Sequence, residues 1–184
     1  MITRIDKDFF FLAGVHFDGA YYINSYDFTV SMLVETACAD EHYVALGRMD
    51  HFIKEILANS VFIHSEEVKA ISMYKKAGIK VCELPERPLD QVVALAILLK
   101  LNAITEGRFK ITDLTFGSML SEGVRYPIVT ELAENADIML GNHWWHKSDL
   151  SVTDTDIEPV PDNVVRLFNE DVWVDVDLSW KSKG

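Results

Sequence analysis

The chain has 184 residues and a net charge of −12, with 29 acidic against 17 basic side chains, and is 49% hydrophobic and 25% charged. Such a length suits one compact domain over residues 1–184, and the composition excludes an intrinsically disordered chain. The negative charge repels phosphate backbones and argues against general nucleic-acid binding. Val92–Leu99, the longest uncharged apolar run, falls far short of the roughly 20 residues that span a bilayer, so no membrane association is expected. Cys38 and Cys82 each sit in an apolar run and form neither zinc-type spacing nor a disulfide framework, which points to a reduced, cytoplasmic setting.

At the N-terminus, Arg4 and Lys7 precede Phe9–Val15, a crude likeness of a signal peptide. Asp6 and Asp8 intervene, however, and no small-residue cleavage site follows, so the run reads as a strand. Phe9–Phe17 and Phe28–Glu35, rich in aromatic and β-branched residues, are expected to pair antiparallel, with Gly19 and Asn24-Ser25 punctuating the stretch between them. A helix follows with Asp40 as its N-cap. Its Val44, Leu46, Met49, Phe52, Ile53, Ile56 and Leu57 recur at three- and four-residue steps as one buried stripe, and Asn59 closes it.

The middle of the chain alternates. Val61–His64 reads as a short strand, and Ser65 as the cap of a helix whose Val68, Ile71, Met73 and Tyr74 face inward before Lys75-Lys76-Ala77-Gly78 stops it. Ile79–Leu84 is the next strand. Pro85 and Pro88 then lead into a helix from Leu89 to Glu106, which Gly107 ends. Its Val92–Leu99 and Leu101 leave almost no polar face, which predicts a central helix covered on most sides. Within it, Lys100 is expected to snorkel to solvent and Asn102 to need a hydrogen-bond partner. Phe109–Phe116 returns as a strand and completes a β-α-β-α-β stretch over about residues 60–117, whose neighbouring strands should run parallel.

Further on, Val124–Val129 reads as a strand, Thr130–Ala136 and Val164–Phe168 as helical turns, and residues 148–163 as an acidic, proline-bearing loop. Residues 172–180 alternate apolar and polar, the pattern of a half-exposed amphipathic strand. The expected fold is a single α+β domain: a mixed sheet, three principal helices, and the helix over 89–106 at the centre.

The chemistry-bearing motifs are sparse. No Gly-rich phosphate loop, G-x-S-x-G elbow or H-E-x-x-H can be drawn through the sequence. In His143-Trp144-Trp145-His146-Lys147-Ser148-Asp149, two imidazoles and a carboxylate at three-residue steps offer ligands to a transition metal. Trp144 and Trp145, with His143 and His146 at their sides, could instead anchor a partner or stack on a flat ligand, or fold back over the core. Asp175 and Asp177 share one side of the C-terminal strand and could hold a divalent cation, with Asp113 as a third ligand. The same alternation also describes the wet face of an edge strand. The acidic run from Asp149 to Asp177, opposed by Arg166 alone, suits a basic partner, an imitation of DNA phosphates, or a solvated loop. No cofactor is predicted beyond a divalent or transition metal.

The stretch Leu84-Pro85-Glu86-Arg87-Pro88-Leu89-Asp90-Gln91, continuing through Lys100–Arg108, resembles small uncharacterised proteins of large tailed bacteriophages, and so does the helix from Asp40 to Leu57. The resemblance implies an accessory protein made in the host-cell cytoplasm and nothing about activity. Together these readings lead to a non-catalytic accessory protein acting by protein–protein contact, disfavoured by its charge for general nucleic-acid binding and expected to self-associate or to bind a protein partner. The alternatives are a metal-dependent hydrolase or nuclease built on His143, His146, Asp149, Asp175 or Asp177, and an acidic decoy for DNA-binding proteins.

Overall fold

A computed structural model describes residues 2–35, 39–130 and 143–153, all of which belong to one compact unit from Met1 to Asp154. The readings for Cys38, for 131–136, and for everything beyond 153, including the strand over 172–180, lie outside the described residues. Two long strands, β1 (Ile2–Phe17) and β2 (Ala20–Glu35), form an antiparallel hairpin paired along its whole length. They are longer than the pattern predicts. Asn24 and Ser25 lie within β2, and the turn is Asp18-Gly19 alone, with φ of 48° and 75°. Two positive φ values in succession are what a two-residue hairpin needs to follow the twist of its strands, and Asp-Gly supplies them at low cost.

Next come α1 (Ala39–His51) and a π-helical continuation over Phe52–Leu57. Asp40 lies in the first turn of α1 rather than ahead of it. The inward stripe is Ala45, Met49, Phe52, Ile53 and Leu57, while Val44 is 52% exposed; it sits one residue, about 100° of helical turn, away from that stripe. Asn59, at φ 62°, closes the element and donates its N–H to the Leu12 carbonyl at 2.8 Å.

β3 (Val61–His64), α2 (Val68–Lys76), β4 (Val81–Leu84), α3 (Asp90–Thr105), β5 (Lys110–Ser118) and β6 (Arg125–Val129) complete the order. Ser65 does not cap α2. Glu67 holds that position without a side-chain cap, and of the four predicted inward residues only Ile71 and Tyr74 are buried. Gly78, at φ 74°, provides the expected stop.

The six strands make one mixed sheet in the order β4-β3-β1-β2-β5-β6. β3 pairs parallel with both β1 and β4, and the remaining pairs are antiparallel. In the β3-α2-β4-α3-β5 stretch only the first two strands are therefore neighbours. α3 carries the chain across the β1–β2 hairpin, so β5 joins the sheet on the far side. β1 already occupies the inner edge of β3, so β5 cannot pair there.

One face of the sheet presents a stacked aromatic row. Phe9 lies 5.2 Å from Phe28, Phe11 4.9 Å from Tyr26, and Phe28 5.7 Å from Phe116, ring centre to ring centre. Over this row pack α1, its π-helical continuation and α3, whose Val93, Ala94, Ile97, Leu98, Leu101 and Ile104 are all buried. At about 25 cal/mol per Å² of apolar surface, this enclosure is the main source of cohesion. Cys82 lies in it, donating to Ser60 Oγ at 3.4 Å, and burial pushes its thiol up to about 12. Among the described residues, no helix is long and apolar enough to cross a membrane.

Candidate functional site

The His143–Asp149 segment makes a 3-10 turn at Trp144–His146 and lies against α3. Trp144 and Trp145 are wholly buried and meet edge to face, their planes inclined at 73° with ring centres 5.4 Å apart. Trp144 Nε1 donates to the Glu83 carbonyl at 2.9 Å, tying the turn to β4. Of the three readings of this pair, folding back over the core is the arrangement seen.

Lys100 overturns the expectation that it snorkels to solvent. Its side chain is 0% exposed, and Nζ donates to the carbonyls of Trp144 and Lys147, both at 2.9 Å, and to Asp149 Oδ1 at 3.4 Å. The ammonium also lies 5.8 Å from the Phe52 ring centre and 5.9 Å from that of Trp144. A buried ammonium is tolerable when its donors are taken up and aromatic faces offset lost hydration. Here the turn supplies the acceptors and the Trp144 face, with Phe52 adding the second ring, so Lys100 fastens residues 144–149 to the central helix. Asn102, by contrast, is only half-buried.

The remaining predicted ligands are dispersed. His143 and His146 flank the Trp145 ring at 4.9 and 6.4 Å. Asp149 Oδ1 accepts from the Ser151 N–H at 2.9 Å and its hydroxyl at 2.6 Å. Partial burial pulls the Asp149 pKa upward, but the two Ser151 donors and the Lys100 charge outweigh it and hold the carboxyl below its usual range. Asp113 sits on β5, where it accepts from Thr112 Oγ1 at 2.9 Å and lies 3.5 Å from Arg4. Among the described residues, no group of three His, Cys, Asp or Glu side chains is placed to hold a metal ion. Asp175 and Asp177 lie outside those residues.

The isolated histidines serve packing. His16 Nδ1 meets the Tyr74 hydroxyl at 3.0 Å, and His64 Nε2 the Pro85 carbonyl at 3.0 Å.

The second face of the sheet carries a feature that strand alternation places but sequence reading passed over. Phe10, Leu12 and Ile23 point to it from β1 and β2 and are 62%, 48% and 64% exposed. On one side, α2 covers β3 and β4 through Val61, Ile63, Ile71, Tyr74 and Val81. Tyr21 extends that cover, its ring 6.1 Å from Tyr74 and lying directly over Gly14. A Cβ at position 14 would meet the Tyr21 ring at 2.5 Å, so glycine is what lets the ring lie flat there. On the other side the face turns polar, and its acids are engaged within the chain. Asp6 accepts from Ser31 at 2.6 Å, Asp8 accepts from Thr29 at 2.6 Å, and Asp27 pairs with Arg125.

No protein-family model matches the chain, and no curated protein matches it. Among solved structures, it is similar to an uncharacterised protein from Wolinella succinogenes at 14% identity and a TM-score of 0.47, covering 70% of this chain and 98% of that one. A likeness at that distance carries no assignment.

Proposed function

We propose that the chain is a non-catalytic accessory protein of the cytoplasm that works by protein–protein contact, and that the contact is made by the open sheet face with a second copy of itself. The observation that carries this is the exposed trio Phe10, Leu12 and Ile23 on one face of two adjacent strands. Contiguous exposed apolar side chains on a folded domain mark interaction surfaces. The surrounding charge favours a like partner over a basic one. At the rim Asp6 pairs with Arg4 and Asp27 with Arg125, while Asp8 accepts from the neutral Thr29 hydroxyl and keeps its charge, so most of the rim's negative charge is met within the chain. An apolar centre whose rim acids are largely paired with arginines can meet its own copy about a two-fold axis with little like-charge repulsion. The accessory role implied by the resemblance to bacteriophage proteins belongs to the same proposal.

Light scattering and sedimentation across a concentration series test it. The unaltered chain should be a dimer or larger, and the double variant Phe10→Ser/Ile23→Ser a folded monomer. A monomeric unaltered chain, or association that survives the double variant, overturns the reading.

A further inference from the structure

The two outermost strands of the sheet are short: β4 has 4 residues, and β6 has 5 with Pro127 at its middle, which has no N–H to offer. β1 is different. Only Gly14–His16 of it pair with β3, so among the described residues the stretch Ile2–Phe10 has a strand on one side alone. Gly14 donates its N–H to the Ser60 carbonyl at 2.7 Å, and the Leu12 carbonyl accepts from Asn59 at 2.8 Å, so the even-numbered residues of β1 turn their backbone groups away from β2. By strand alternation, Ile2, Arg4, Asp6, Asp8 and Phe10 present a row of N–H and C=O groups along this edge.

Such a row is a template for another extended chain, and folded proteins commonly blunt it with charge. Here most of that charge is engaged within the chain. Lys7 Nζ donates to Asp50 at 2.7 Å, and Arg4 lies 3.3 Å from Asp6 and donates to Ser31 Oγ at 2.8 Å. Asp8, bonded to the Thr29 hydroxyl, keeps its charge. The edge is also self-complementary. Laid antiparallel against itself about a two-fold axis at Asp6, it sets Arg4 opposite Asp8 and Ile2 opposite Phe10, each twice. The Asp6 carboxylates meet at the axis, each with its own Arg4 beside it. Slipping the pairing to the next register on either side puts Asp8 against Ile2 or Asp6 against Asp8, so the charges select the full overlap.

α1 brings a second element to the same place. Asp50, the acceptor for Lys7, marks the flank of α1 above β1, and Tyr43 lies two helical turns before it on that flank. Tyr43 is nonetheless 74% exposed, with Val44 beside it, so this flank looks out past the free edge. A two-fold axis normal to the sheet puts the α1 helices of both copies on one side of the joined strands, where these side chains gain cover.

We propose that two copies of the chain pair β1 to β1, antiparallel along Ile2–Phe10, and join their sheets into one continuous sheet. This contact is additional to the one made by the open face. It is held by backbone at the strand edge, and it leaves both open faces on one side of the joined sheet, available to meet a second such pair. Phe10 belongs to both contacts, so the Phe10→Ser/Ile23→Ser variant loses an anchor in each. With both in place, the unaltered chain assembles beyond the dimer.

Cross-linking of the full chain reads the register directly. In a Cys38→Ser background, Asp6→Cys should oxidise to a covalent dimer about tenfold or more faster than Asp8→Cys, because the register brings position 6 to its own copy within reach of a disulfide and holds the two copies of position 8 apart. Sedimentation equilibrium reads the strength. Asp6→Pro removes an outward N–H that β2 does not use, and should weaken association about tenfold or more. Should it fail to fold, Asp8→Arg serves instead, setting like charge against Arg4 of the second copy with the same loss expected. Ile23→Ser touches the open face alone and should leave the Asp6→Cys cross-link intact. Equal cross-linking at positions 6 and 8 overturns the edge pairing, as does unaltered association of the edge variants that fold. If association is then lost in Ile23→Ser, the open-face contact survives without this one. A cross-link at position 6 with association unchanged by Ile23→Ser supports this contact and removes the other.

Discussion

The two faces of the sheet are made from the same strands, residue by alternate residue, yet they are finished differently. On the helix-covered face, Phe9, Phe11, Tyr26 and Phe28 disappear under α1, α3 and the Trp144–His146 turn. On the other face, Phe10, Leu12 and Ile23 remain in water between a polar strip and the footprint of α2. The hydrophobic content of a strand therefore does not say which face is core. What decides is whether the chain returns with an apolar element to cover it, and here α3 returns over one side only.

The largest test of this contrast is Trp144→Ala. Emptying a fully buried indole should cost about 3–5 kcal/mol, read as a lowered urea midpoint. Lys100→Met comes next. Leaving the Trp144 and Lys147 carbonyls without their donor should cost about 2–4 kcal/mol and expose 143–153 to limited proteolysis. A neutral or stabilising result would mean that packing alone holds the turn, as when a buried ion is replaced by an apolar side chain.

Gly14→Ala should cost about 1–2 kcal/mol, because the new methyl must push the Tyr21 ring off β1 and loosen its contact with Tyr74. Asp149 provides a pH test. Its carboxyl is held below its ordinary value, so its stabilising effect is present above about pH 4 and is lost as the pH falls through the folded-state pKa. The stability gap between the unaltered chain and Asp149→Asn should therefore close in acid. Smallest is Phe10→Ser, which should change monomer stability by no more than about 0.5 kcal/mol even though it removes an aromatic ring. A larger loss would place Phe10 in a core rather than on a surface.

The sequence was most legible where one residue pattern determined one outcome. The nearly unbroken apolar run of α3 required burial on most sides, and Lys75-Lys76-Ala77-Gly78 marked a helix end. Asp18-Gly19 carried the hairpin signal, but Asn24-Ser25 competed with it as punctuation, and pairing with β1 overrode that local preference. Val44 and Val68 were misplaced because apolar spacing alone leaves the phase of a short helix uncertain by one residue. Lys100 was illegible for a different reason: its acceptors include two backbone carbonyls more than 40 positions away, and backbone carbonyls have no sequence signature.

The fastening of Lys100 also bears on how the molecule comes into being. A ribosome releases α3 some forty residues before Trp144, Lys147 and Asp149 emerge, so the nascent chain carries an ammonium bound for an oily interior before the oxygens that will receive it exist. Until then that helix should stay loosely docked, open to chaperones and proteases, and the arrival of one short turn should convert a mobile intermediate into the finished domain.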